Sequence, residues 1–439
     1  MPPTVHRSRL LPSLILAWGL SLPCAPAQAT LPAAEREALV DLYVQTDGPG
    51  WHQHAGWLQG DPCLQAWHGV RCTPQNDAVT GLLLPLNRLQ GPLPASLARL
   101  SRLETVDLQG NDGLYGRLPD LRQWPDLVVF RAGFNQFEGA LPLLSGLPRL
   151  ERLDLGNNLL GGPLPSALEL PALKELRLNH NRFKGRLPVI THSAALEIVD
   201  FSFNQLQGPL PPLDRLPRLQ LFNSEWNAHQ GTIPALKGLT QLQGLVLSGN
   251  RLVGPIPDLS GLDGLQLLVL DHNHLSGPVP PLASLQNLSL LDLSHNRLAG
   301  PYPALAELPA LTHVRLDHNR FEGRAPSPPP GLSMALRCAD DETQPHEKPR
   351  SADDLPCLRT EPYFTPLPRP LAGQTEPPAR HTGRPETATL AATAQASRLD
   401  PTGPTLWPPS PQLLLAMGGL ALWMGLLRWW WQRRPQAHP

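Results

Sequence analysis

The chain has 439 residues and a formal net charge of −1, so it lacks the basic excess that binding to nucleic-acid phosphates requires. Its 54 Pro and 36 Gly exceed ordinary globular usage, and such a bias means either disorder or a tight repeat that turns often. Position along the chain separates the two.

Residues 1–29 carry the three parts of an export signal: His6, Arg7 and Arg9, then the apolar run Leu10 to Leu22, then Ala27-Gln28-Ala29 as a small-residue cleavage site. Cleavage before Thr30 is expected, and it removes Cys24. A lipid-anchor reading of Cys24 is disfavoured because Pro23 stands where a small residue is wanted. Cys63, Cys72, Cys338 and Cys357 remain, an even set suited to an oxidising compartment. One pair lies before the repetitive region and one after it, so local disulfides Cys63–Cys72 and Cys338–Cys357 are expected over a cross-link between the ends. Neither pair has the form of a thiol catalyst or a zinc knuckle.

A helix is predicted from Glu35 to Gln45. Beyond residue 78 a repeat sets in. Pro94, Pro119, Pro142, Pro165, Pro188, Pro211, Pro234, Pro257, Pro280, Pro303 and Pro326 follow one another at 23-residue steps after the first interval. A second column runs beside them: Asn87, Asn111, Asn135, Asn158, Asn181, Asn204, Asn227, Asn250, Asn273, Asn296 and Asn319. In the copy beginning Leu288-Ser-Leu-Leu291-Asp-Leu293-Ser-His-Asn296, the alternation at Leu291 and Leu293 marks a short strand with both leucines inward. The Asn amide is expected to satisfy backbone groups of the neighbouring coil, forming a ladder through the core. Gly300 permits a tight bend, and Pro then fixes an extended return. The second copy carries an extra residue at Asn111-Asp-Gly-Leu114, and the third has Phe130 and Ala132 where Leu is usual; both are expected to be local irregularities.

This is the leucine-rich-repeat signature, and Gly-x-Leu/Ile-Pro after the Leu resembles the plant-type subclass over residues 79–326. Upstream, Gly50-Trp51, Gly56-Trp57-Leu58, Asp61-Pro62-Cys63, Trp67-His68-Gly69-Val70 and Cys72 resemble the N-terminal cap of plant receptor-like proteins, spanning residues 30–78. The resemblance implies an α/β fold: a right-handed solenoid of eleven repeats over residues 79–326, with parallel strands on a concave face, 3-10 or extended returns on a convex face, and a cap at each end. A solenoid exposes an apolar cross-section at its ends, so Trp51, Trp57 and Trp67 are expected in the core of the cap.

The residue between the two strand leucines faces outward on the concave side, the face such solenoids present to ligands. Asp107, Arg131, Asp154, Arg177 and Asp200 alternate in sign along this column, which predicts a salt-bridge ladder between neighbouring strands. The column then changes to Asn223, Val246 and Val269 before returning to Asp292 and Arg315. With Leu221, Leu267 and Leu290 in the preceding column, and Glu225 and Trp226 at the border, these residues form the candidate ligand-binding patch. His272, His295 and His318 stand just before the Asn in adjacent coils. No carboxylate or Cys completes a ligand set for them in the sequence, so no metal or other cofactor is expected. No Gly-x-Ser-x-Gly elbow is present, and no enzymatic activity is expected.

After Pro326 the period stops. Residues 327–358 are expected to form a C-terminal cap, and 359–412 read as a Pro-rich disordered linker. Leu413 to Leu427, extended by Arg428 and Trp429-Trp430-Trp431, gives a transmembrane helix over 413–431. Arg433 and Arg434 place the short tail, 432–439, inside. The tail also resembles, more weakly, the sorting tails of bacterial surface proteins. The expected protein is therefore a single-pass, membrane-anchored binding module of a bacterial envelope, with its repeats in the periplasm or on the cell surface. It recognises a protein or peptide; the alternative is a polysaccharide-binding or adhesive role. Few aromatics are expected on the concave face, which favours protein over glycan.

Overall fold

The computed structural model describes residues 30–323 and the strand Ser333–Ala335. The export signal, Cys338 and Cys357, the expected C-terminal cap, the linker, the apolar segment 413–431 and the tail lie outside the described residues. Among the described residues, no helix is long and apolar enough to cross a membrane.

Stacked coils dominate. A 13-stranded sheet begins with Val70–Cys72, which pairs antiparallel to Val79–Leu83, and continues in parallel, coil upon coil, to Ser333–Ala335. Each repeat after the first adds one three-residue strand, such as Leu290–Asp292. Its central residue and the residue two further on point inward, so Leu291, Leu293 and their counterparts are fully buried. In the third copy Phe130 and Ala132 are both fully buried. The larger side chain stacks on Trp124 with ring centroids 6.1 Å apart, and the smaller one leaves room for it.

The segment after each Asn, read from sequence as an extended return, forms a second sheet of 11 parallel strands from Gln90–Pro92 to Arg320–Glu322. A strict period explains this. Equivalent extended backbones recur one strand spacing apart, so their N–H and C=O groups meet. Gly300, next to last in the strand Arg297–Pro301, has φ 91°, a conformation L side chains rarely adopt. Short 3-10 turns, Ala95–Arg99 and Leu121–Gln123, carry two of the returns. A small parallel pair, Ala167–Glu169 with Val189–Thr191, lies on two later ones.

The Asn column is buried or nearly so and bonded across coils. Asn250 Nδ2 donates to the carbonyls of Ser224 (3.0 Å), Leu247 (3.0 Å) and Ser248 (3.1 Å), while Oδ1 accepts from the His229 N–H at 3.0 Å. An apolar residue there would orphan those groups at about 1–3 kcal/mol each. The extra residue of the second copy has a local consequence. It sends the Leu114 N–H to the Asn111 carbonyl at 2.9 Å, and the Oδ1 of Asn135, which would otherwise receive it, is buried without a partner.

The N-terminal end is closed by helix Ala33–Gln45, whose Ala38, Leu39 and Leu42 are fully buried. Glu35 ties it to the first repeat by accepting from the Val79 N–H at 2.7 Å. Trp51 and Trp57 meet edge to face at 4.8 Å, and Trp57 lies 5.0 Å from Trp67. Each indole N–H is satisfied by a carbonyl, of Thr46, His68 and Gln59 respectively, which lets these large rings be buried. The Cys63–Cys72 disulfide braces the same segment.

Candidate functional site on the long sheet

The register brings the sequence-selected residues together. Leu221 pairs with Gly244, Gly244 with Leu267, and Leu267 with Leu290; beside them Asn223, Val246, Val269, Asp292 and Arg315 form one continuous row. The patch is recessed, however, and none of its members is among the strongly exposed hydrophobics. Leu221, Leu267, Val269 and Leu290 are half-buried, whereas Val246, Glu225 and Asp292 are buried. Gly244 accounts for part of this. A Cβ there would come within 2.7 Å of Leu221 Cδ1, so the leucines on either side lean over a position that offers no side chain.

The alternating charges do not form the predicted ladder. Arg131 and Asp107 pair at 3.7 Å, and Arg315 and Asp292 at 3.5 Å, but Arg177 turns to Glu175 of its own strand. The carboxylates instead cap their own backbone. Asp107, Asp154, Asp200 and Asp292 accept from the N–H two residues on, at 3.2, 3.0, 3.0 and 3.1 Å, and Asn223 does the same at 3.1 Å. The chain leaves the sheet here for a left-handed turn, and a short acidic or amide side chain supplies the acceptor that the turn lacks. Burial pushes Asp154 up to about 6 and raises Asp200. Asp292 is raised by burial and then by neighbouring Asp271.

Two positions further on lies a row of buried acids that sequence reading singled out only at Glu225. Burial, and after it the charge of Asp200, pushes Glu225 up to about 8, against a weak contact from the Asn223 amide at 3.5 Å. Asp271 accepts from Ser248 Oγ and, at 2.8 Å, from His272 Nδ1. Asp317 accepts from His318 Nδ1 at 3.0 Å. These contacts overturn the expectation that no carboxylate accompanies the histidines; Asp271 and Asp317 directly precede His272 and His318 in the chain and turn back onto them.

The next position, immediately before each Asn, is left-handed throughout: φ is 50° at His180, 53° at Phe203, 50° at Trp226, 52° at His272 and His295, and 55° at His318. Their rings form one row. His180 stacks on Phe203 at 4.2 Å, Phe203 faces Trp226 at 6.4 Å, and Trp226 leans across Gly249 to His272 at 6.1 Å. His272, His295 and His318 then stack at 4.2 and 4.0 Å. The face is thus richer in aromatics than the strand columns alone suggest. The signal was present at 23-residue spacing, but only Trp226, His272, His295 and His318 had been singled out. Burial holds His180 down to about 4; burial, then the flanking His272 and His318, hold His295 down to about 4.

Ser224 Oγ lies 2.8 Å from His229 Nε2, both where leucines normally stand. Both residues are fully buried, and burial holds His229 down to about 4. This pair is packed in the core and offers no substrate a way in.

A leucine-rich-repeat family model matches residues 149–170. A leucine-rich repeat receptor-like protein kinase of Arabidopsis thaliana, PXC1, is 37% identical over 102 residues, 23% of this chain and 14% of the relative. Protein STRUBBELIG from the same plant is 33% identical over 84 residues, 19% of this chain and 10% of the relative. Among solved structures, the ectodomain of the Arabidopsis membrane receptor kinase GASSHO1/SCHENGEN3, in complex with CASPARIAN STRIP INTEGRITY FACTOR 2, superimposes with a TM-score of 0.62 at 31% identity. That match covers 66% of this chain and 36% of the ectodomain. A plant ice-binding protein, with a TM-score of 0.53 at 24% identity over 68% of this chain and 97% of its own, shares the fold alone. The chain thus spans only a small part of its curated relatives, and what it has in common with them is the stacked repeat.

Proposed function

We propose that this leucine-rich-repeat solenoid is a recognition module that binds a protein or peptide on the long sheet and catalyses no reaction. The observation that carries this reading is the recessed apolar row Leu221, Leu267 and Leu290, set in register beside buried carboxyls at Glu225, Asp271 and Asp292. Half-buried leucines gain further burial against an extended segment, at roughly 25 cal/mol per Å² of apolar surface. The Glu225 and Asp292 carboxyls, raised by burial, regain through a basic side chain or an N–H the solvation that folding took from them. The ligand chemistry is therefore apolar residues flanking a basic one. The Arabidopsis receptor ectodomain in complex with CASPARIAN STRIP INTEGRITY FACTOR 2 supports recognition by this fold. Display outside a membrane, by an export signal at 1–29 and an anchoring helix at 413–431, in a bacterial envelope, belongs to the same proposal and rests on sequence.

A glycan platform is less well supported. Sugars stack on exposed ring faces, and here the rings of the row spend their faces largely on one another. Selection of a random peptide library on the purified protein tests the choice. Enriched peptides should share an apolar and basic pattern, and Leu267→Asp, checked for unchanged thermal unfolding, should weaken them about tenfold or more. Glycan binding lost on Trp226→Ala, with no peptide enriched, would replace this reading with the polysaccharide one.

A further inference from the structure

The geometry points to a transition-metal site on the imidazole row, built by His295, His318 and Asp317. One ligand atom from each of these residues lies within 4.8 Å of the others. Imidazole nitrogen with carboxylate oxygen is the donor set that Zn2+, Ni2+ and Cu2+ favour over Mg2+ or Ca2+.

The coil repeat brings the donors close to the required spacing. Two imidazole nitrogens bound to one tetrahedral zinc, each at about 2.1 Å, stand roughly 3.4 Å apart. The rings of His295 and His318 stack at 4.0 Å, 12° from parallel, so a small rotation of each side chain converges them. His272 lies beyond His295, at 4.2 Å from it. It is too far from His318 to share the same ion, and the site is therefore the pair nearest Asp317.

Asp317 Oδ2 and His318 Nδ1 already stand 3.0 Å apart, near the separation of two donors on one tetrahedral ion, and an ion held there takes the place of the proton they share. Asp317 is itself only 4% exposed, and its Oδ1 accepts no hydrogen bond. The cation nearest it is the Arg315 guanidinium, whose Nε lies 3.7 Å away, beyond hydrogen-bond reach, and a buried carboxylate oxygen without a donor is stabilised further by a closer cation.

The repeat itself supplies substitutions that the fold accepts. Ser202, Ser248 and Ser294 occupy the position of Asp317 in other coils, and Asn157, with φ 55°, occupies that of His295 and His318. The test is calorimetric titration of the chelator-treated full-length protein with zinc chloride at neutral pH, with wild type compared to Asp317→Ser and to the double variant His295→Asn/His318→Asn. Wild type should bind one ion that both variants weaken by about tenfold or more, while His272→Asn leaves the affinity unchanged. Absence of zinc binding by wild type, undiminished binding by the double variant, or an equal loss in His272→Asn would overturn the assignment.

Discussion

The Asn column and the position just before it run side by side through the same coils, yet they obey different constraints. Asn recurs in every copy, buried or nearly so, with its amide divided between its own turn and the coil before it. The preceding position holds His, Phe, Trp, Asn, Gly or Leu, and what its occupants share is left-handed backbone. Backbone pairing leaves one position no freedom of chemistry, whereas the other is limited only in conformation. Recognition chemistry can therefore vary where folding does not depend on it.

The comparison is broken most severely at the Asn itself. Asn250→Leu would orphan three carbonyls and one N–H in the core, and it should lower the stability read from the urea midpoint by about 3–5 kcal/mol. An intermediate effect belongs to the acid row between strand and rings. Below about 4.5 the Glu225 carboxyl is protonated in both folded and unfolded chains; as pH rises through about 8 the folded protein must hold a buried charge, so stability is lost over that window. Glu225→Gln removes the loss, and its advantage over wild type should grow by on the order of 2–4 kcal/mol from about pH 5 to about pH 9 in parallel urea titrations. A flat difference would show that Glu225 does not titrate in this range. The ring position should be the most tolerant. His180→Asn keeps a residue suited to left-handed backbone and gives up one stack on Phe203, so it should cost about 1 kcal/mol or less. A loss as large as that of Asn250→Leu would erase the distinction between the two columns.

Reading by column explains what was legible before the structure. Leu291, Leu293 and Asn296 each have one task repeated along the chain, and repetition made the coil, its parallel sheet and its ladder visible. Asp154 and Arg177 were misread because alternating signs suggest neighbours across strands, whereas a short carboxylate meets its own backbone two residues on sooner than it meets a guanidinium. The second sheet was missed because Gly-x-Leu-Pro signals extension, and whether an extended segment pairs depends on what the next coil places beside it. Asp317 was overlooked as a companion of His318 because its side chain turns back onto the adjacent ring, a rotamer choice the sequence does not encode.

By itself, the sequence determined the period, the inward leucines, the amide ladder and the set of residues placed in register on the long sheet, since all of these follow from identical units stacked at a fixed spacing. Only the tertiary structure decided how deep that patch lies, which carboxyls are stripped of water and which rings touch. Those properties arise from the packing of side chains between neighbouring coils, where a single Gly at 244 or 249 changes what its neighbours cover.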